Sequence, residues 1–85
     1  MRIKICYFAR IREQLGVSDE QLDVPDGCNT IDGVVQHLQA RDETWQQVLS
    51  SEQKVLKALN HEVLSDDHEI KEGDELAFFP PVTGG

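Results

Sequence analysis

Few residues in this chain have types and spacings that could do chemistry. Its two thiols are Cys6 and Cys28, and neither lies in a context that would activate a thiolate. His37 falls on the polar side of a predicted helix, while His61 and His68 flank acidic residues. Their spacing matches no zinc or calcium ligand pattern, so no metal is implied. The carboxylates between Glu69 and Glu75 read as the solvated acids of a loop rather than acid–base machinery. A glycine-rich phosphate loop, a zinc-type histidine pair and a nucleophile elbow are all missing from the sequence. What remains is the C-terminus, where FFPPVTGG spans Phe78–Gly85 and ends on the main-chain carboxylate.

That ending has the composition of a probe. Proline holds φ at about −65°, so Pro80 and Pro81 make a pre-extended stem. Val82 and Thr83 are β-branched and keep the chain extended. Gly84 and Gly85 carry no Cβ, so the walls of a partner's tunnel can close against their backbone. From Phe79 to Gly85 the stretched reach is roughly 20 Å. A terminal carboxylate has a reference pKa of about 3.5, so Gly85 is ionised at neutral pH and a poor electrophile. Attack on the α-phosphate of ATP would convert it to an acyl-adenylate. AMP then leaves as a sulfur or amine nucleophile takes the acyl group. Gly85 is the candidate reacting residue and Gly84 gives access, with ATP used by an activating enzyme and no cofactor bound to this chain.

The elements that must position this terminus follow from periodicity. RIKICYF alternates, with Ile3, Ile5 and Tyr7 on a core face and Lys4, Cys6 and Phe8 on the other, which predicts a strand through Phe8. ARIREQLG suits a short helical turn ending at Gly16, and QLDV a second strand closed by the Pro25-Asp26-Gly27 turn. Thr30 caps a predicted helix whose Ile31, Val34, Val35 and Leu38 share a face, with Gln36, His37, Gln39 and Arg41 on the wet side. TWQQVL continues as a second helix, with Trp45, Val48 and Leu49 inward. Strands follow at Lys54–Leu59, at EVL and at ELAFF, the last after a Gly73-Asp74 turn, and Ile70 anchors the acidic loop. The order β, β, α, α, β, β, β predicts an α+β fold with one mixed sheet wrapped around a helix. If the first and last strands lie side by side, Phe8 and Phe79 share the face away from the helix. Two exposed phenylalanines there would form a binding patch.

Composition narrows the partners. A chain of 85 residues makes one domain with a small core and little room for a sheltered multi-residue active site. Its net charge of −8 excludes nucleic acid and anionic membrane as partners and favours a protein with positive surface. Charges interrupt the apolar residues of MRIKICYFAR, so this is neither a signal peptide nor a membrane span. Two cysteines are too few for a secreted disulfide framework or for a ferredoxin cluster, and the expected compartment is the cytoplasm.

LAFFPPVTGG strongly resembles the C-terminus of the molybdopterin synthase small subunits, a family of ubiquitin-like sulfur carriers. YFARIRE resembles that family's first strand and turn, and ALNHEVLSDDHEIKEGDE its later strands and loop. The resemblance implies a β-grasp fold, a mixed sheet of about five strands packed on a helix with short extra helices. The body would cover residues 1–79 and the tail residues 80–85. It further implies that Gly85 is adenylated by a ubiquitin-activating-type enzyme using ATP and converted to a thiocarboxylate by a sulfurtransferase. The sulfur would then pass, inside the large synthase subunit, to cyclic pyranopterin monophosphate during molybdenum cofactor biosynthesis. The small subunit is no enzyme on its own. By position, Phe8, Val63 and Phe79 match the family's hydrophobic docking contacts, Arg12 a further contact position, and Pro80, Pro81, Val82 and Thr83 the inserted stem. Three alternatives share the fold: a thiamin-type sulfur carrier, a modifier joined to lysines through Gly85, and an interaction domain with an inert tail.

Overall fold

Alternation in RIKICY produces strand β1 (Arg2–Tyr7), whose Ile3, Ile5 and Tyr7 are each at most 1% exposed. These coordinates are a computed structural model that describes residues 1–50 and 52–81. β1 ends one residue short of the predicted strand. Phe8 becomes the N-cap of helix α1 (Ala9–Leu15), itself still extended at φ −124° and ψ 154°. Ala9 then takes φ 53°, in the left-handed region, where the chain switches from strand to helix. The predicted helical turn is thus a seven-residue helix, closed by Gly16 at φ 74°.

The sheet assembles in the order β2-β1-β5-β3-β4. Strands β2 (Asp19–Asp23), β3 (Leu56–Leu59), β4 (Glu62–Leu64) and β5 (Glu75–Phe79) join β1. β1 and β5 run parallel at the centre, and every other pairing is antiparallel. The first and last strands are therefore neighbours, which meets the condition for Phe8 and Phe79 to share a face, and the helices between them cross the other face. β3 begins at Leu56 rather than at Lys54. Asn60 and His61 form the hairpin tip to β4, both at positive φ, 51° and 71°.

Helix α2 (Ile31–Gln39) starts where Thr30 Oγ1 accepts the Gly33 N–H at 3.1 Å, and α3 (Glu43–Val48) where Asp42 accepts the Trp45 N–H at 3.1 Å. Ile31, Val34 and Leu38 of α2 join Ile3, Ile5, Leu76 and Phe78 of the sheet in one core, which Trp45, Val48 and Leu49 close from α3 and its end. Tyr7 is the hub: Phe78 stacks on it at 5.9 Å and Trp45 meets it edge-on at 5.5 Å. Arg41 is exposed, as expected, and also ties α2 to the sheet. Its guanidinium carbon lies over the Trp45 ring at 4.4 Å, and the same guanidinium forks onto Glu20 at 2.7 and 2.8 Å. Ile70, 2% exposed, pins the acidic loop as predicted.

Candidate functional site

β-sheet register decides which residues gather near the terminal stem. Leu76 and Phe78 of β5 point to the helices and are fully buried, so Glu75, Ala77 and Phe79 point to the opposite face. On that face Cys6 pairs with Ala77, Ala77 with Ala58, and Ala58 with Val63, making one row across four strands. A second row sets Phe79 opposite Leu56. Phe8 extends it on the other side, its N–H donating to the Phe78 carbonyl at 3.0 Å. Phe8 is 48% exposed, Val63 61% and Leu56 37%. The helix-free side of the sheet thus carries a continuous apolar surface.

Phe8 and Phe79 share this surface, as the alternation predicts, although Phe79 is half-buried rather than exposed because Leu56 and Phe8 flank it. Val63 rested on resemblance alone in the sequence, and the ladder brings it to the same face. Leu56, Ala58 and Ala77 are members that sequence reasoning missed. Their alternation within LKAL and ELAFF is visible, but only the β3–β5 register joins them. Arg12 lies exposed on α1, bonded through its backbone to Phe8, and does not line the pocket between Phe8 and Phe79. Ala9 follows Phe8 in a conformation costing about 1–2 kcal/mol for a non-glycine residue. Such strain is held where the surrounding structure fixes it, here at the exit of Phe8 from the sheet.

Pro80 and Pro81 continue from β5 and are half-buried. Pro81 reaches the wall of a groove of about 740 Å³ that Val35 and Gln39 of α2, Leu49, Val55 and Lys57 also line. The stem therefore leaves the body between the apolar face and this groove. Val82, Thr83, Gly84 and Gly85, the residues assigned to the reach and the reaction, lie outside the described residues.

The remaining reactive groups are placed for structure. Burial, followed by the negative charge of Glu75, pushes the Cys6 thiol up despite the opposing Lys4. A thiol so held is protonated and a weak nucleophile. Burial and a hydrogen bond to Glu20 likewise push the Tyr7 phenol up. His68 has Nδ1 2.6 Å from the Glu69 carbonyl, and His61 is exposed at the β3–β4 tip. Among the described residues no cluster of His, Cys, Asp and Glu is arranged to hold a metal ion, and no helix is long and apolar enough to cross a membrane.

The ThiS family matches residues 5–85. A protein named molybdopterin synthase sulfur carrier subunit, from Escherichia coli (strain K12), is 40% identical over 83 residues, covering 98% of this chain and 99% of its own. Among solved structures, a putative molybdopterin converting factor, subunit 1, from Pyrococcus furiosus superposes with a TM-score of 0.78. It has 29% identity and covers 96% of this chain and 99% of its own. SAMP1 from Haloferax volcanii superposes with a TM-score of 0.74 at 26% identity over the whole of both chains.

Proposed function

This chain belongs to the ThiS family, and from that premise we propose that it is the sulfur-carrying small subunit of a molybdopterin synthase. Two observations support the proposal. A relative 40% identical over nearly the full length bears that name. A ladder also sets Phe8, Val63 and Phe79 on one face beside the root of the Pro80-Pro81 stem. The second carries the argument, because it explains how a body without catalytic groups can deliver its terminus. Residues 1–79 act as the handle and residues 80–85 as the probe.

In the proposed cycle a carboxylate oxygen of Gly85 attacks the α-phosphate of ATP on an activating enzyme, and pyrophosphate leaves. Hydrosulfide supplied through a sulfurtransferase attacks the acyl carbon, the bond to AMP breaks as the C–S bond forms, and a thiocarboxylate is left at Gly85. Docking of the apolar face then seats the stem in the large subunit, with Gly84 and Gly85 narrow enough to pass between its walls. Inside, sulfur is the more nucleophilic atom and transfers to cyclic pyranopterin monophosphate. Hydrolysis returns the Gly85 carboxylate, and two cycles supply the two sulfurs of a dithiolene. The face serves activation and transfer in turn, so the two partners compete for it. Cys6 and Cys28 are both free thiols, which suits residence in the reducing cytoplasm.

Intact-mass analysis tests this directly. After incubation with ATP, the activating enzyme and a sulfur source, one oxygen at Gly85 should be exchanged for sulfur. Deleting Gly85 should abolish the exchange and the sulfur transfer, while the unfolding free energy changes by less than about 0.5 kcal/mol. Sulfur transfer that survives the deletion would overturn the proposal. So would Gly85 found only in isopeptide bonds to lysines.

A further inference from the structure

Between the two phenylalanines of the outer face lies a pocket of about 410 Å³ lined by Phe8, Ala58, His61, Glu75, Ala77 and Phe79. Its floor is the alanine pair in register across β3 and β5, whose small side chains leave the depression. Phe8 and Phe79 make the aromatic walls. Glu75 supplies the one carboxylate in this otherwise apolar setting, and its side chain is only 32% exposed.

The main chain that carries this carboxylate is held at the hairpin tip. The Glu75 N–H donates to Asn60 Oδ1 at 3.0 Å, and the Glu75 carbonyl accepts the Asn60 N–H at 2.8 Å. Asn60 holds a positive φ at the hairpin tip, and its side-chain amide also donates to Asp74 at 3.0 Å. Among the described residues the carboxylate makes no hydrogen bond to a cationic group. Its nearest basic group among the described residues is His61 Nε2 at 3.8 Å, too far for a hydrogen bond. Lys4, its ladder partner on β1, forms no ion pair with it.

We propose that this pocket receives an arginine side chain from the docking partner, so that Glu75 selects partners by charge on a surface otherwise read by shape. An arginine stem packs against Ala58 and Ala77, its guanidinium stacks on Phe8 or Phe79, and its fork pairs with both Glu75 oxygens. The half-buried setting strengthens such a pair relative to one in open water. A net charge of −8 on the whole chain draws a cationic surface toward this face. The proposal rests on the outer face being the docking surface and adds the chemistry of the group that enters it.

The test uses the full-length chain and the purified large subunit of molybdopterin synthase from the same organism. Binding is measured for the wild type, Glu75→Gln, Glu75→Lys and Phe79→Ala. Glu75→Gln keeps both backbone hydrogen bonds to Asn60, so its melting temperature should match the wild type. Its affinity should fall roughly tenfold or more, with a shallower salt dependence, and Glu75→Lys should bind more weakly still. A structure of the complex should place a guanidinium within hydrogen-bond reach of Glu75. If Phe79→Ala weakens binding while Glu75→Gln and Glu75→Lys bind like the wild type, the arginine pocket is wrong and the docking face stands. If Phe79→Ala also binds like the wild type, the docking face itself is wrong and the pocket falls with it.

Discussion

Glu20 shows how single residues tie this small body together. Tyr7 donates its hydroxyl to Glu20 Oε2 at 2.7 Å, and Arg41 forks onto both carboxylate oxygens while lying across Trp45. Burial alone would raise the Glu20 pKa, but the Arg41 and Tyr7 hydrogen bonds outweigh it and hold the carboxyl below its ordinary range. A carboxyl depressed in the folded state contributes stability that is fully present above its unfolded pKa of about 4.3. That contribution is lost as pH falls through the lower folded value. Glu20→Gln should therefore be less stable than the wild type at pH 7. The gap should close in acid below about pH 4, as measured by denaturant midpoints across pH. Nothing in the sequence announces this clasp. Its members are 13 and 21 positions from Glu20, and only strand register and the end of α2 bring them together.

Local periodicity reads most of the elements correctly and fails where tertiary geometry overrides it. The face of α2 and its Thr30 cap are plain in the spacing, and the structure keeps both. Phe8 continues the alternation of β1 in sequence yet ends the strand, because Ala9 bends the chain into α1. Val55 fits the strand pattern of β3 but stays outside it, since β3 pairs with β5 only from Leu56 onward. α1 itself depends on Gly16, whose φ of 74° lets its N–H reach the Arg12 carbonyl at 2.8 Å. A Cβ there would meet no atom within 4 Å, so the cost of Gly16→Ala is conformational rather than steric crowding. Gly16→Ala should lose about 1–2 kcal/mol, seen as a lower denaturant midpoint with an unchanged slope.

At the scale of the whole molecule, charge and topology divide the work. The −8 net charge should make association with a basic-surfaced partner faster at low ionic strength, by roughly tenfold between high and low salt. Stopped-flow rates in a salt series would show it, and a rate indifferent to salt would leave the acidity to solubility alone. Fold class was legible in the sequence because it follows from element order. Membership of the apolar outer face was only half legible, since Leu56, Ala58 and Ala77 join Phe8 and Phe79 through pairings between distant segments. Those pairings also bear on how the molecule is made. β5, which follows the other four strands of the sheet in chain order, occupies its middle between β1 and β3. Until it emerges, a nascent chain has only two separate hairpin-like pairs, β2 with β1 and β3 with β4, each too small to persist alone in water. The central strand must therefore be made before the sheet can close, so a product terminated ahead of Glu75 would leave β1 and β3 without the partner that joins them.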